Sequence, residues 1–374
     1  MASHRSRIIV DTSAISRNVR RLVSLLEGEA RLYAVVKADG YGHGAVESGL
    51  AALDGGAAGL AVATSEEALE LREHDYRGPL IVFGPLFSLE EIEAVAERRV
   101  DFTVISEEMI GLLAAAATRG PALNIHLKLD TGMNRQGVKP GAVGRFVRLA
   151  EQLQRIQFRG LMTHFACADE NLECARAQLD RFLQTISPLT ERWPHLLRHA
   201  ANSAATLRLP ESHLDAVRTG IAIYGLSPFQ TDPGTDGLEP ALRWESVVAA
   251  VKSLPRGESA GYGHTFQART ATRLALVPLG YADGLRRGLS NQGEVLIRGR
   301  RCRIAGRISM DSFLVDVGET AVRAGDTVTL LGADGNERIT AEEMARKLDT
   351  INYEITCGLT LRRARRIFVH HSPT

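Results

Sequence analysis

Short apolar runs alternate with segments of helical periodicity over the first 220 residues of the chain. The runs are rich in Val, Ile and Leu, a composition typical of parallel strands that are buried on both faces. Among the helical segments, 88–99 begins with the capping-box pair Ser88 and Glu91. A further helix is predicted before the first run, from about Ser13 to Leu26. The pattern predicts eight strands, at 32–38, 59–64, 79–84, 102–106, 124–130, 159–165, 196–203 and 214–220.

Eight alternations of strand and helix favour a (β/α)8 barrel of the TIM type, with a doubly wound open sheet as the alternative. In such a barrel the functional residues lie at the C-terminal ends of the strands. The residues that follow each predicted strand are therefore the first candidates for a functional site.

The character of the sequence changes at residues 227–240, which are rich in Pro, Gly and Asp and are typical of a linker. Beyond this segment the chain consists mostly of strand-like runs separated by turns. One helix is predicted among them at 340–349, again with a capping box that begins at Thr340. We therefore expect a barrel domain over residues 1–232 and a mainly β domain over residues 233–374.

The composition counts against several classes of function, namely nucleic-acid binding, membrane association and export. Hydrophobic residues make up 44% of the 374 residues and the formal net charge is +1, as in an ordinary globular protein without a field that attracts nucleic acid or anionic membranes. The four cysteines form no CxxC pair, which favours a reducing cytoplasm and no disulfide scaffold. The N-terminus lacks the apolar core of a signal peptide, and no apolar run approaches the roughly 18 residues of a membrane span. No metal site is indicated.

Lys37 ends the first predicted strand and is followed by a glycine-rich turn, in the segment VVKADGYGHG (35–44). A lysine that leaves a buried strand can be held partly deprotonated and act as a nucleophile toward an aldehyde. The glycines allow backbone N–H groups to approach a ligand closely. A surface lysine in a turn is the alternative interpretation.

Three further strand ends carry candidate chemistry. In HLKLDTGMNRQG (126–137), Arg135 is suited to a bidentate contact with a carboxylate, although an ion-paired turn explains the same residues. His164 follows the sixth strand, where a packed, hydrogen-bonded histidine competes with a catalytic one. Ser203 follows the seventh strand and fits a helix N-cap, a position that is also compatible with phosphate binding.

Together, these motifs resemble those of bacterial alanine racemases, a pyridoxal-phosphate-dependent family of fold type III, over nearly the whole chain. KADGYGHG matches the cofactor motif, which implies that Lys37 holds pyridoxal 5'-phosphate covalently and acts as one of two catalytic bases. The resemblance also implies that His164 lies against the cofactor ring and that Arg218 faces the pyridine nitrogen. It implies further cofactor contacts, mainly to the phosphate, by Tyr41, Ser203, Gly220, Ile221 and Tyr353.

For the substrate, the resemblance implies that Arg135 binds the carboxylate and that Lys128 is carbamylated and positions Arg135. The segment GESAGYGHTF (257–266) is similar to the one that carries the second base, here Tyr262. Because a racemase removes a proton from one face of Cα and returns one to the other, two bases on opposite faces meet its needs. In the family this tyrosine comes from the other subunit, so a homodimer with shared active sites is implied.

Two other segments match residues near the entrance of that site. Tyr281 is similar to an entrance-channel residue, and Met310 and Asp311 match a segment that reaches the partner's active site, with Met310 near the substrate. Minor departures are NRQG at 134–137 and Cys167, which occupies a variable position near His164. Neither removes a chemically required group.

The implied activity is interconversion of L-alanine and D-alanine, which supplies D-alanine for peptidoglycan. A serine or broad-specificity racemase is the main enzymatic alternative, and Tyr353 favours alanine. A non-catalytic cofactor-binding protein is a barrel alone, so the second domain and Tyr262 count against it. An amino-acid decarboxylase with a similar two-domain plan uses a carboxylate where Arg218 stands.

Overall fold

The computed structural model describes residues 5–118, 120–153 and 155–371. The described residues divide into two compact units. The first, here called the barrel unit, comprises Ile15–Phe229 and Gly234–Leu238. The second, here called the β unit, comprises the described residues of Met1–Ala14, Gln230–Pro233 and Glu239–Thr374.

The β unit includes a strand from the start of the chain, which the sequence analysis did not predict. Strand β1 (Arg7–Asp11) pairs antiparallel with Leu242–Val247 and parallel with Arg365–Val369. The domain boundaries expected from the sequence placed these residues with the barrel. The difference arises because both pairing partners are remote in sequence, so no local pattern reveals them.

Eight parallel strands close into a barrel in the barrel unit, with the last strand pairing back to the first. This confirms the predicted (β/α)8 fold and excludes the open sheet. Each observed strand falls on one of the predicted apolar runs, because strands buried on both faces need continuous apolar sequence. The strands are β2 (Arg31–Val35), β3 (Gly59–Val62), β4 (Leu80–Val82), β5 (Asp101–Val104), β6 (Leu123–Lys128), β7 (Ile156–Met162), β8 (Leu197–His199) and β9 (Ala216–Thr219).

Helices alternate with these strands, and side chains fix where several of them begin. Ser88 accepts a hydrogen bond from the Glu91 N–H at 3.2 Å, as the capping pattern predicts, and Asn171 caps the longest helix in the same way. Aromatic side chains such as Phe146 and Phe182 are buried beneath the helices. The helices are α1 (Thr12–Val23), α2 (Lys37–Tyr41), α3 (Ala45–Asp54), α4 (Ser65–Glu73), α5 (Leu89–Glu97), α6 (Met109–Ala116), α7 (Val143–Glu151), α8 (Leu172–Arg192) and α9 (Ser203–Arg208).

The rest of the β unit is built on the sheet that contains β1, and this confirms the mainly β second domain. Its strands are β10 (Leu242–Val247), β11 (Ala250–Leu254), β12 (Ser259–Ala260), β13 (Phe266–Gln267), β14 (Thr272–Val277), β15 (Glu294–Ile297), β16 (Arg300–Ala305), β17 (Phe313–Asp316), β18 (Thr327–Asp334), β19 (Glu337–Ile339) and β20 (Arg365–Val369). The sheet runs β11-β14-β17-β16-β15-β18-β10-β1-β20, while β12 and β13 form a separate pair.

Two helices accompany the sheet, α10 (Ala341–Lys347) and α11 (Asn352–Cys357). Thr340 caps the first of them by accepting from the Glu343 N–H at 3.1 Å, as predicted. In the three described stretches of the chain, no helix combines the length and the apolar character that crossing a membrane requires.

One covalent feature differs from the sequence analysis. Cys167 and Cys174 form a disulfide across the turn between β7 and α8, whereas the cysteine pattern had predicted no disulfide scaffold. Their Cα atoms are 6.4 Å apart, within the range that a disulfide spans. A spacing of seven residues lies outside the CxxC pattern, and only the return of the chain at this turn brings the two residues together.

Candidate active site

Lys37 lies at the start of an unusual turn beyond the end of β2. The four residues 38–41 all have φ between 51° and 61°, so the chain makes a left-handed helical turn. Each non-glycine residue in this conformation costs roughly 1–2 kcal/mol. The turn is held by the Glu67 carboxylate, which accepts from the Ala38 N–H at 2.6 Å, and by Asp39, which accepts from the Ala45 N–H at 3.2 Å. Strain fixed in this way is characteristic of functional sites.

The same turn places Tyr41 beside the ends of β8 and β9. A Cβ atom added to Gly220 would lie 2.3 Å from the Tyr41 hydroxyl oxygen, so only glycine allows this approach. The Ser203 Oγ accepts hydrogen bonds from the Gly220 N–H at 3.0 Å and the Ala222 N–H at 3.4 Å. Ser203 therefore keeps its own hydroxyl hydrogen for donation. Three of the predicted phosphate-binding residues thus meet, and buried Ile221 begins the 3-10 turn that follows.

Arg135 lies in a loop after β6 whose shape is set by Asp130. The Asp130 Oδ1 accepts from the backbone N–H groups of Gly132 at 3.1 Å and Asn134 at 2.9 Å. Its Oδ2 accepts from the Lys139 ammonium at 2.7 Å. The side chain of Asp130 is buried while that of Arg135 is exposed. The exposed Arg135 therefore lies on a loop whose backbone is held by the buried Asp130 carboxylate.

Lys128 ends β6 and is 5% exposed. Its ammonium donates to the Gln136 Oε1 at 3.0 Å. Burial, followed by the positive charges of Arg135, Arg218 and Lys37, lowers the pKa of Lys128 from 10.5 to about 7. A substantial fraction of this amine is therefore neutral at physiological pH.

Arg218 is buried in the barrel interior and ties the last three strands together. One of its terminal nitrogens, Nη2, donates to the Thr163 carbonyl at 2.8 Å and the Ala200 carbonyl at 3.0 Å. The same nitrogen lies 3.3 Å from the His164 Nδ1, and Nη1 lies 3.2 Å from the His199 Nδ1. Burial lowers the pKa of Arg218 to about 9, so it remains a cation near pH 7.

A guanidinium can only donate hydrogen bonds, so the contacts of Arg218 determine the tautomers of the two neighbouring histidines. The Nδ1 atoms of His164 and His199 must accept, so each neutral ring carries its hydrogen on Nε2. The His199 Nε2 then donates to the His126 Nδ1 at 2.9 Å, and the His126 Nε2 lies 3.4 Å from the Asp101 carboxylate. Burial and the charge of Arg218 hold the pKa values of His164 and His199 well below the usual range, in agreement with neutral rings.

The predicted site residues of the β unit lie on its exposed surface. Tyr262, 68% exposed, lies between Gly261 and Gly263, which both have positive φ. Tyr281 and Met310 are 43% and 52% exposed and lie on adjacent loops, joined by backbone hydrogen bonds from Tyr281 to Ser309 and from Ala282 to Met310, each 3.1 Å.

Polar side chains of the β unit hold the loops that carry Tyr281 and Met310 in place. Arg363 contacts the exposed Asp311 through a short hydrogen bond and lies 3.5 Å from the buried Asp283 carboxylate. Tyr353 lies half-buried on α11. Its neighbour Asn352 is hydrogen-bonded to Gln230 at 2.9 Å and to Glu342 at 2.8 Å. The orientation of α11 within the β unit is therefore set by a buried polar residue.

Comparison with known proteins assigns the family. The family model described as the alanine racemase N-terminal domain matches residues 10–228, and that of the alanine racemase C-terminal domain matches residues 241–367. The chain belongs to the alanine racemase family. An alanine racemase of Symbiobacterium thermophilum is 42% identical over 360 residues, which are 95% of each chain.

Solved alanine racemases share the fold over the full length. That of the D-cycloserine producer Streptomyces lavendulae has a TM-score of 0.91 at 39% identity and covers 99% of this chain and 98% of its own. That of Bacillus anthracis, solved with bound L-Ala-P, has a TM-score of 0.91 at 36% identity and covers 99% and 96%.

Several residues that shape the site of this alanine racemase family member were missed by the sequence analysis. His199, His126 and Asp101 extend the hydrogen-bond chain behind Arg218, and Asp130 fixes the Arg135 loop. A signal existed for His126, which precedes Lys128 by two residues and therefore faces the same side of β6. Glycine at position 160 on β7 makes room for its ring, since a Cβ there would lie 2.3 Å from the His126 Nδ1.

Proposed function

We propose that this protein interconverts L-alanine and D-alanine with pyridoxal 5'-phosphate as cofactor, by a two-base mechanism. The observation that carries the proposal is a group of four basic side chains in the barrel unit. Lys37, Arg135 and Arg218 all act electrostatically on Lys128, and the four together act on His164. Such a concentration of positive charge suits a ligand with a phosphate and a substrate with a carboxylate.

The residues around these cations fit the cofactor. Tyr41, Ser203 and the Gly220 backbone form a polar corner at the ends of β8 and β9, the usual phosphate site of such barrels. Lys37 has the amine that an aldehyde requires. When bound, the cofactor supplies an aldehyde and a conjugated ring that delocalises the charge left by the α-proton.

The chain's own residues then divide the remaining tasks. Arg135 binds the alanine carboxylate through its guanidinium fork. The Lys37 amine takes or returns the proton on one face of Cα, and the Tyr262 hydroxyl does so on the other. The neutral His164, fixed by Arg218, has an Nε2–H that would stabilise the phenolate form of a tyrosine supplied by the partner subunit. Stabilisation of this kind is what a tyrosine needs to act as a base.

Arg218 also distinguishes racemisation from decarboxylation. Its terminal nitrogens donate to backbone carbonyls and histidine rings, and a guanidinium does not give up its hydrogens at physiological pH. Facing the pyridine nitrogen, it would donate a hydrogen bond without transferring a proton, which would weaken the cofactor as an electron sink. Low electron withdrawal favours a brief loss and return of one proton over cleavage of a carbon–carbon bond.

We propose a homodimer in which Tyr262 serves the partner's active site. Tyr262, Tyr281 and Met310 are among the exposed large apolar or aromatic side chains of the described residues. Side chains of these types are typical of protein interfaces, where they become buried. Met310 and Asp311 contribute to the same surface, and Met310 approaches the partner's substrate.

Cytoplasmic supply of D-alanine for peptidoglycan is the proposed cellular role, and it rests on the family resemblance. A requirement for external D-alanine in cells that lack the protein is the test. A serine or broad-specificity racemase is the alternative activity. Tyr353 supports alanine, since the resemblance assigns it to the narrowing of the pocket.

Racemisation itself is tested with purified, cofactor-loaded protein and L-alanine in D2O. We expect D-alanine with deuterium at Cα by chiral chromatography and mass spectrometry, and turnover of L-serine slower by about 10- to 100-fold. Lys37→Ala is the control and should abolish both changes. Cofactor binding without any change in chirality or deuterium content would instead identify a non-catalytic cofactor-binding protein.

Sharing of active sites is tested with heterodimers of Lys37→Ala and Tyr262→Phe, isolated through two different affinity tags. If Tyr262 serves the partner, one of the two sites receives both bases, and about half of the wild-type activity should return. Heterodimers of Lys37→Ala with the doubly substituted chain are the control and should stay inactive. Inactivity of the first heterodimer would show that both bases come from one chain.

Carbamylation of Lys128 is proposed because its pKa of about 7 leaves a neutral amine that can add CO2 and release a proton. The neutral fraction rises with pH through about 7, so at constant dissolved CO2 the carbamate should be stronger at about pH 8 than at about pH 6. Carbon-13 NMR of protein equilibrated with labelled CO2 measures it. Lys128→Met should lack the resonance and Lys139→Met should keep it; a resonance that survives in Lys128→Met contradicts the assignment.

A further inference from the structure

The disulfide between Cys167 and Cys174 lies three residues beyond His164. We propose that these cysteines are a reversible redox pair whose oxidised form locks the His164 loop, residues 163–171, onto the first turn of α8 and thereby positions the His164 ring. The effect on turnover rests on the proposed racemase function, whereas the redox chemistry of the pair does not.

Gln178 shows why helix α8 controls the His164 loop. It is buried on α8, accepts from the Ala166 N–H at 2.8 Å and donates to the His164 carbonyl at 3.4 Å. Cys174 precedes Gln178 by four residues and therefore lies on the same face of the helix. The disulfide thus adds a covalent link, one turn earlier on α8, to the hydrogen bonds that already fix the backbone from His164 to Ala166.

The turn itself brings the two sulfurs together without needing the bond. The N–H groups of Glu170 and Asn171 donate to the Cys167 carbonyl at 3.2 and 2.7 Å. The Asn171 side chain in turn accepts from the Cys174 N–H at 3.0 Å. These three contacts are independent of the sulfur oxidation state, so the reduced loop keeps the cysteines close enough to reoxidise. Both residues are half-buried and can be reached by small reagents.

The reaction is thiol–disulfide exchange with a low-molecular-weight thiol. A thiolate attacks one sulfur, breaks the Cys167–Cys174 bond and forms a mixed disulfide; a second thiolate releases the external disulfide. The protein gains two electrons and two protons as two thiols, and two external thiols are oxidised to one disulfide. The reverse sequence restores the lock.

Reduction removes the covalent link between Cys167 and Cys174. The His164 loop is then held by hydrogen bonds to Gln178, Asn171 and Arg218. The His164 ring then samples a wider range of positions. Because His164 is the residue proposed to stabilise the second base, positioning lost in this way lowers kcat more than it raises KM. Cys167 and Cys174 are therefore positioning residues for this site.

The redox state is read from one tryptic peptide, because Arg159 and Arg176 bracket both cysteines. The protein is equilibrated with graded ratios of oxidised and reduced glutathione, treated with an alkylating agent and digested. We expect an oxidised peptide without alkyl groups, lighter than the dithiol by two hydrogens, that converts to a doubly alkylated peptide as the buffer becomes reducing. A peptide that is doubly alkylated even in fully oxidised glutathione overturns the proposal.

The consequence is measured by comparing oxidised protein, reduced protein and the variant carrying Cys167→Ala and Cys174→Ala. We expect kcat for alanine to be roughly threefold or more lower in the reduced protein and the variant, with a smaller change in KM. The visible circular dichroism of the bound cofactor should differ between oxidised and reduced protein and should not respond to thiols in the variant. Cys357→Ser, an exposed substitution elsewhere, should respond like the wild type.

Equal kcat values and equal cofactor dichroism for the oxidised protein, the reduced protein and the double variant would overturn the lock. If no form racemises alanine, the proposed function fails by itself, while the alkylation and dichroism results still decide whether the pair is redox-active and coupled to the site.

Discussion

The buried guanidinium of Arg218 is the interaction on which the active site depends. Removing such a charge from water costs several kcal/mol unless its donors find partners. Here they bond to backbone carbonyls of Thr163 and Ala200 and to two histidine rings. Because those acceptors follow β7 and β8 while Arg218 belongs to β9, one side chain sets the spacing of three strand ends. The positions of His164 and of the residues around Gly220 follow from it.

A second constraint is electrostatic. Burial and the positive charges of Arg135, Arg218 and Lys37 lower the pKa of Lys128 to about 7. Burial and nearby positive charges likewise hold the pKa of His164 well below its usual range. Such a concentration of basic side chains suits anionic ligands.

The barrel could be predicted from sequence because its strands need continuous apolar runs, and each run was present. Candidate site residues could be named because motifs follow those runs and resemble a known family, and their roles stay predictions. His199 and His126 were missed because isolated histidines on buried strands form no motif, and only the register of β6, β7 and β8 aligns them. The left-handed turn at 38–41 was also not predictable, since it needs four successive residues with positive φ and only one of them is glycine. The disulfide was not predictable because it depends on the conformation of the turn between β7 and α8, which the spacing of the two cysteines does not specify.

Strand β1 lies between β10 and β20 in the sheet, so residues from both ends of the chain are neighbours there. During synthesis on the ribosome, the barrel segment emerges before either sheet partner of β1, because β10 and β20 both follow it in the chain. The strand nearest the amino terminus therefore stays unpaired while the barrel is made. Its pairing with β20 can form only when the last strand has been synthesised.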